Sequence, residues 1–569
     1  MRRLINICRR KILPLLNGDL ISLIYTAGEI LHEAKNPSQL KFLDFPSGRN
    51  VEARQLLEKS HDWKSADITI LGSLYEALIE VNDEKESKQT LRRRTGSFYT
   101  PPYITDFLVR SAYENSGREI VDPVILDPAC GSGAFLISAF KFLREKIPGK
   151  SPDEILTTCI RGVDIDKDAI RVAKISLWIE SGAEKSTWRK LGKCFTVGDS
   201  LKLGVEGEID FAPIVVSNPP YRNVKRGIDK KTAQFCHKNF VTATRQWDIS
   251  SVFIENTLTN LLTDRGTMGF IIPQPLMTSE NYEPLRKFIL DYNLISFGSA
   301  GTPFHEPGVE ASLIVINKSK PSRGNIDINR VDGEKILTDK RLDRKFLNFF
   351  PYTIFSHTAK QNFISRILKR TDRFTALGDH VMVTRGIEIG KNSPLLTSGN
   401  AGEPVLRGED VSEFTSQNKM RIKFTSRDSR EKLVKDDILW AGENQLILRR
   451  VASQLVAAVV DPPSLALNTL YIVHSGKINP HSACALFNSI HYREIFRQFY
   501  GFDDSLFPYI RISQLKRMPV VPGLLNDNKL AAHSVKIHEL NKKNSGSNAG
   551  EIEILRSGID EIVEAYFSE

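Results

Sequence analysis

The chain has 569 residues, 41% of them hydrophobic and 26% charged, with a formal net charge of +10. That length exceeds one ordinary domain and can bury at least two cores, and the balance excludes a chain too polar to fold. No apolar run approaches the ~20 residues a membrane span needs, and the excess positive charge favours a polyanionic partner.

The opening segment MRRLINICRRKILPLLNG is basic and partly apolar, but Arg9, Arg10 and Lys11 interrupt it and no small-residue cleavage site follows. It reads as a helix of the mature protein and not as a secretory leader. Helical spacing continues through residues 1–90, with Leu71, Leu74, Tyr75, Leu78 and Ile79 on one face. The run VNDEKESKQTLRRR (81–94) reads as an exposed connection, and its Glu86-Ser87-Lys88 triplet as solvated charge, since no strand-borne acid precedes it as a nuclease site would require. Over residues 91–335 short β-branched runs alternate with helical patterns, which predicts an α/β domain, a parallel sheet with helices on both faces. Residues 336–525 break into short strand-like pieces joined by polar turns, a mixed, β-rich second domain. Residues 526–569 form a helical tail containing the polar stretch NKKNSGSNAGE, a predicted loop. The six cysteines, Cys8, Cys130, Cys159, Cys194, Cys236 and Cys484, make no CxxC pair, so neither a zinc site nor a disulfide framework is expected, and the compartment is read as cytoplasmic.

Four motifs carry chemistry. In VILDPACGSGAFL an apolar strand ends at Asp127, and Gly131 and Gly133 form a small-residue turn into a helix, letting the backbone approach a ligand closely. No GK[ST] follows, which excludes a P-loop, and the three glycines of a dinucleotide fingerprint are absent. A carboxylate at the strand end suits a ligand with a cationic amine, such as S-adenosylmethionine. In IRGVDIDKDAI, Asp164 ends a second strand where a carboxylate accepts from ribose hydroxyls, and Asp166 reads as the N-cap of the next helix. Asp199, in TVGDSL, is placed to accept from an adenine amino group. Finally, PIVVSNPPYRNV runs a buried strand into Asn218-Pro219-Pro220-Tyr221. Two prolines stiffen that loop, so the Asn218 side-chain oxygen and the Pro219 carbonyl can accept from an exocyclic amino group and raise its nucleophilicity, while Tyr221 offers a stacking surface.

Taken in order, GSFYTPP (96–102), DPACGSGAF, GVDID, GDSL and SNPPY resemble the γ-class, TaqI-like adenine-N6 DNA methyltransferases of restriction-modification systems. The likeness continues through WDISSVFIENTL, GTMGFIIP and GTPFHEPGVEASLIVINK, and more loosely through PVLRGEDV, DILWAG, LNTLYIV and ALFNS. It implies a Rossmann-like S-adenosylmethionine-dependent core, a helical N-terminal region and a C-terminal target-recognition domain. By the resemblance, Thr100 lines the cofactor site, and Asp127, Ala129 and Gly131 hold the methionine portion. Asp164 takes the ribose, Ile165 packs on the adenine ring and Asp199 meets its amino group. Asn218, Pro219, Pro220 and Tyr221 form the catalytic loop, and Phe98 and Phe304 join Tyr221 on the target base. Ser200 follows Asp199 where some relatives carry an aromatic, so that wall of the pocket must come from other apolar residues.

The expected partner is double-stranded DNA, with the chain a monomer that needs no metal and no membrane; a separate cognate restriction endonuclease is compatible with the resemblance but is not written in the sequence. Arg385, Arg407, Arg449 and Arg450 in the second domain are candidate DNA contacts, since arginine pairs with guanine edges and with phosphate. Three alternatives stay open from the residues alone: an N4-cytosine DNA methyltransferase, a protein-glutamine methyltransferase, and a non-catalytic DNA-binding specificity protein. The first more often reads SPPY, and the second would leave the C-terminal residues unexplained. The third has no reason to keep Asp127 together with an intact NPPY loop.

Overall fold

The computed structural model describes every residue except 1, 36–49, 80–98, 118–122, 183–184, 224–226, 245–246, 279, 305–308, 323, 345–372, 391–392, 435–444, 462–463, 501–508, 544–547 and 569. The chain divides into two compact units, residues 1–352 and 353–569. The run 81–94, Phe98 and DILWAG lie outside the described residues.

The first unit opens with helices, of which α1 (Leu20–Lys35), α2 (Val51–Ser60) and α3 (Ile70–Leu78) matter most here. On α3 the residues Ile70, Leu71, Leu74, Tyr75 and Leu78 are buried, the stripe that a 3.6-residue period predicts. Next come α4 (Pro102–Glu114), β1 (Ile125–Asp127), α5 (Ala134–Lys146), β2 (Ile160–Asp164), α6 (Lys167–Glu180), β3 (Phe195–Val197), α7 (Ser200–Glu206) and β4 (Ala212–Ser217). Helix α8 (Ile249–Asn256) precedes β5 (Leu262–Pro273), and β6 (Asn293–Gly301), β7 (Ala311–Asn317), β8 (Asn325–Asp332) and β9 (Lys335–Asp343) complete the sheet.

The strands form one nine-stranded sheet in the order β3-β2-β1-β4-β5-β7-β6-β8-β9. From β3 to β5 every pairing is parallel, and the order reverses between β1 and β4, which opens a crevice at the carboxyl ends of those strands. The expectation of a parallel sheet needs two amendments: β7 runs antiparallel to both β5 and β6, and β9 runs antiparallel to β8. In β7, the run ASLIVIN is buried at every position, so it carries no alternation from which direction could be read.

Local chemistry fixes the turns at that crevice. Gly131 and Gly133 have φ of 49° and 93°, in the left-handed region that side chains avoid. A Cβ on Gly133 would also stand 2.8 Å from the Ala173 Cβ of α6, so this glycine lets α5 and α6 close on each other. Asp166, Asp199 and Asp248 cap α6, α7 and α8, each accepting backbone N–H groups that would otherwise be orphaned. Helix α6 then buries Ile170, Val172, Ile175, Leu177, Trp178 and Ile179, each contributing roughly 1.5–3 kcal/mol by leaving water.

The second unit contains a four-stranded antiparallel sheet of β10 (Met382–Arg385), β11 (Gln445–Arg449), β12 (Ala457–Val460) and β13 (Leu470–His474), in the order β10-β13-β11-β12. A second four-stranded sheet includes Glu403–Leu406 and Met420–Ile422. Helices α9 (Pro480–Asn488), α10 (Asn528–Lys542) and α11 (Ala549–Ser568) pack together within the same unit. Among the described residues no helix is long and apolar enough to cross a membrane.

Candidate active site at the carboxyl ends of the central strands

A cavity of about 360 Å³ opens at the crevice, within the ~300–1,000 Å³ usual for small-molecule sites. Ala129, Gly131, Asp164, Ile165, Asp199, Asn218 and Pro220 all line it, so residues from four separate motifs meet at one site. Asp164 accepts from the N–H of Gly131 and of Asp166, both at 2.8 Å, which ties the ends of β1 and β2 together. Burial raises its carboxyl above the ordinary range. Ile165 is 75% exposed on the cavity wall, an apolar surface suited to a flat ring.

Other predicted cofactor residues are placed behind the wall. Asp127, expected to hold the methionine portion directly, is 1% exposed and does not line the cavity. Its Oδ1 accepts from the Ser217 hydroxyl at 2.7 Å and from the Ala129 N–H at 3.0 Å, which joins β1 to β4 beneath the floor. Burial pushes this carboxyl up to about 7. Gly133 likewise packs on α6 and is not part of the lining. Thr100, expected to line the pocket, is 2% exposed and lies behind Asn218, whose Nδ2 donates to the Thr100 hydroxyl at 3.0 Å. That bond fixes which end of the Asn218 amide serves as acceptor. Thr100→Val should therefore slow methyl transfer on the order of tenfold, the worth of one orienting hydrogen bond, while cofactor affinity holds. Single-turnover rates beside equilibrium binding would measure both.

The catalytic-loop candidates are held from below. The Ser250 hydroxyl lies 2.9 Å from the Pro220 carbonyl and 2.8 Å from Asp248 Oδ1, and Ile249 donates its N–H to the Arg222 carbonyl at 2.7 Å. Asp248 is itself pushed up to about 7 by burial. Pro219 and Tyr221 do not line the cavity; the Tyr221 ring meets Phe304 edge to face at 5.9 Å between centroids. The two aromatics expected on a target base are thus brought together beside the loop, while Phe98 lies outside the described residues.

Several lining residues escaped the sequence reading. Ile249 and Phe253 of α8, with Leu201, supply the apolar wall that Ser200 does not. WDISSVFIEN carried that signal only as a helix whose positions are all buried. Tyr75, Glu76 and Ile79 reach the cavity from the N-terminal helices, and Arg222, Ile228, Asp229 and Thr232 from beyond the NPPY loop. Among the described residues no His, Cys, Asp or Glu cluster has the makings of a metal site.

In the second unit the four predicted arginines part ways. Arg407 is clamped bidentately by Asp410, through Nε at 3.0 Å and Nη2 at 3.1 Å, so it shapes its own turn. Arg449 is half-buried on β11. Arg385 pairs with Glu388 at 3.1 Å, and Arg450 covers the ring of Tyr509, itself 48% exposed, at 5.1 Å. Arg385, Arg450 and Arg511 gather around Tyr471, whose phenol burial raises and their charge partly lowers.

The strand order, the glycine turn and the acids ending β1 and β2 define the class of Rossmann-like S-adenosylmethionine-dependent methyltransferases. Residues 66–349 match the family model of the N-6 DNA methylases, and residues 403–520 match the TaqI-like C-terminal specificity domain. The chain belongs to the N-6 DNA methylase family and carries a TaqI-like C-terminal specificity domain. It is 25% identical over 332 residues to the type II restriction enzyme and methyltransferase RM.Eco57I of Escherichia coli, covering 47% of this chain and 33% of that protein. It is 24% identical over 374 residues to the type II methyltransferase M.VspI of Vibrio sp. (strain 343), covering 64% of this chain and 83% of that one. The chain thus spans about a third of RM.Eco57I and most of M.VspI. The solved structure of the type IIL restriction-modification enzyme MmeI in complex with DNA shares the fold, with a TM-score of 0.54 and 12% identity over 97% of this chain and 88% of that one.

Proposed function

We propose that this chain transfers a methyl group from S-adenosylmethionine to the N6 amino group of adenine within a specific duplex sequence, as the modification enzyme of a restriction-modification system. The observation that carries the reading is the convergence of Asn218, Asp164, Ile165 and Asp199 on one cavity, with the Asn218 amide held in a single orientation by Thr100. The lining suits the cofactor chemically. Asp164 and Asp199 are acceptors for ribose hydroxyls and an adenine amino group, Ile165 and Phe253 are apolar surfaces for the ring, and Gly131 leaves room where a side chain would intrude. When bound, S-adenosylmethionine supplies an electrophilic methyl group on a sulfonium sulfur.

The chain's own work is positioning and polarisation. An adenine inside stacked duplex is out of reach, so the base must swing out, at a cost of a few kcal/mol. Stacking on Tyr221 and Phe304 would offset part of that cost. The Asn218 oxygen and the Pro219 carbonyl accept from the amino group, drawing its lone pair out of conjugation and toward the methyl. Neutral acceptors suffice, and the proton leaves to water after transfer. In the second unit, Arg385, Arg450 and Arg511 with the exposed Tyr509 form the surface best suited to meet DNA, the arginines for phosphate or guanine and the ring for sugar or base.

The test incubates the protein with tritiated S-adenosylmethionine and mixed-sequence duplex DNA, then digests the product to nucleosides. Label in N6-methyladenosine is expected. Label in cytosine would move the target, label only in protein would overturn the DNA reading, and cleavage of unmodified DNA by the chain alone in Mg²⁺ would end the modification-only role.

A further inference from the structure

Asp127 is sealed beneath the floor, which leaves the carboxylates of the cavity lining as the side chains able to meet the positive charge of the cofactor's amino acid. Among the described residues, five carboxylates line the cavity: Glu76, Asp164, Asp166, Asp199 and Asp229. Asp164 and Asp199 are the acceptors assigned above to the ribose and the adenine amino group, and all four aspartates also hold local structure. Asp164 binds the N–H groups of Gly131 and Asp166, and Asp166 caps α6 while accepting from the Tyr75 hydroxyl at 2.8 Å. Asp199 caps α7, and Asp229 caps the helix Lys230–Asn239.

Glu76 is placed differently. It comes from α3, outside the sheet, and its Oε1 accepts from the Ser132 hydroxyl at 2.8 Å. The same oxygen lies 3.7 Å from where a Gly131 Cβ would stand, so the carboxylate sits over the glycine turn at the end of β1. That turn follows Ala129 at the end of β1, whereas Ile165, which suits the adenosine, follows the end of β2. Packing holds Glu76 over the turn: a Cβ on Gly72, one turn earlier on α3, would lie 2.7 Å from Ser132 Oγ, so helix and turn are already in contact. Tyr75, through Asp166, pins the helix to the ribose side as well.

The geometry points to Glu76 as the residue that binds the α-ammonium group of S-adenosylmethionine, with Ser132 orienting its carboxylate. This assignment rests on the cofactor reading above and adds a role for the N-terminal helices as one wall of the cofactor site. A carboxylate facing an ammonium group makes a charge-assisted bond, stronger than a neutral one and selective for ligands that carry the amine.

Two ligands isolate the contact: S-adenosylhomocysteine keeps the amino acid, and methylthioadenosine lacks it. By calorimetry, Glu76→Gln should weaken S-adenosylhomocysteine binding roughly tenfold to hundredfold and leave methylthioadenosine within about threefold. Ser132→Ala should show the same selectivity at smaller size, and it decides the matter if the Glu76 variant does not fold. Equal loss for both ligands would make Glu76 a structural residue, and no loss for either would remove it from the site; each overturns the assignment. A wild-type protein that binds neither ligand would instead overturn the cofactor reading itself, and the assignment with it.

Discussion

Asn218→Ala should lower single-turnover methyl transfer to duplex DNA by roughly 10²–10³-fold, the range found when one preorganised polar group is removed from a reacting centre. Cofactor binding should stay close to wild type, because the amide's partner is Thr100 and the aspartates of the cavity are untouched. The double variant makes the argument sharper. Thr100 is buried behind Asn218 and does not line the cavity, so any role it has in the reaction runs through the amide. Adding Thr100→Val to Asn218→Ala should then cost almost nothing further, whereas residues acting independently would multiply their losses. Quench-flow measurement of product under saturating cofactor gives all four rates. An Asn218→Ala rate within tenfold of wild type would mean that the loop carbonyls alone polarise the amine, and multiplicative losses would put Thr100 in direct contact with a reactant.

The central sheet was legible in the sequence because its signals are local. Short apolar runs ending in Asp127, Asp164 and Asn218, each followed by a turn and a helix, report a strand end without knowledge of the rest of the chain. Asp166 could be told from Asp164 because a residue two positions past the strand is where a helix cap belongs, and it does cap α6. Strand direction was not legible for β7, since a run buried on both faces has no period to read. The depth of a residue was not legible either. Asp127 and Asp164 end neighbouring strands and look equivalent on paper, but only the fold shows the Ser217 hydroxyl drawing Asp127 under the floor. Glu76 adjoins the apolar stripe of α3 and resembles any solvent-facing acid until the helix is docked on the turn at Ser132. Arg407 is the opposite case: Asp410 stands three residues on, and that spacing was available as a sign that the arginine serves its own turn.

Asp127 also makes the fold sensitive to pH in a definite direction. Its folded carboxyl titrates at about 7, well above the 3.8 of an unburied aspartate, because burial penalises the charge and nearby Asp164 adds repulsion. A group raised in the folded state favours folding while protonated. Its contribution is full below about pH 4 and is lost as the pH rises to about 7, on the order of 4 kcal/mol in all. Asp127→Asn removes that titration while its side-chain oxygen keeps the place that accepts from Ser217 and Ala129. Relative to wild type, the variant should therefore gain about 2–3 kcal/mol in urea unfolding between pH 5 and pH 8. Asp248, titrating in the same range, is common to both proteins and cancels in the difference. S-adenosylhomocysteine binding should change by less than about threefold, since the residue lies beneath the cavity and braces β1 to β4. A pH-independent difference in stability together with a tenfold loss of ligand affinity would reverse the placement and return Asp127 to the cofactor's methionine end.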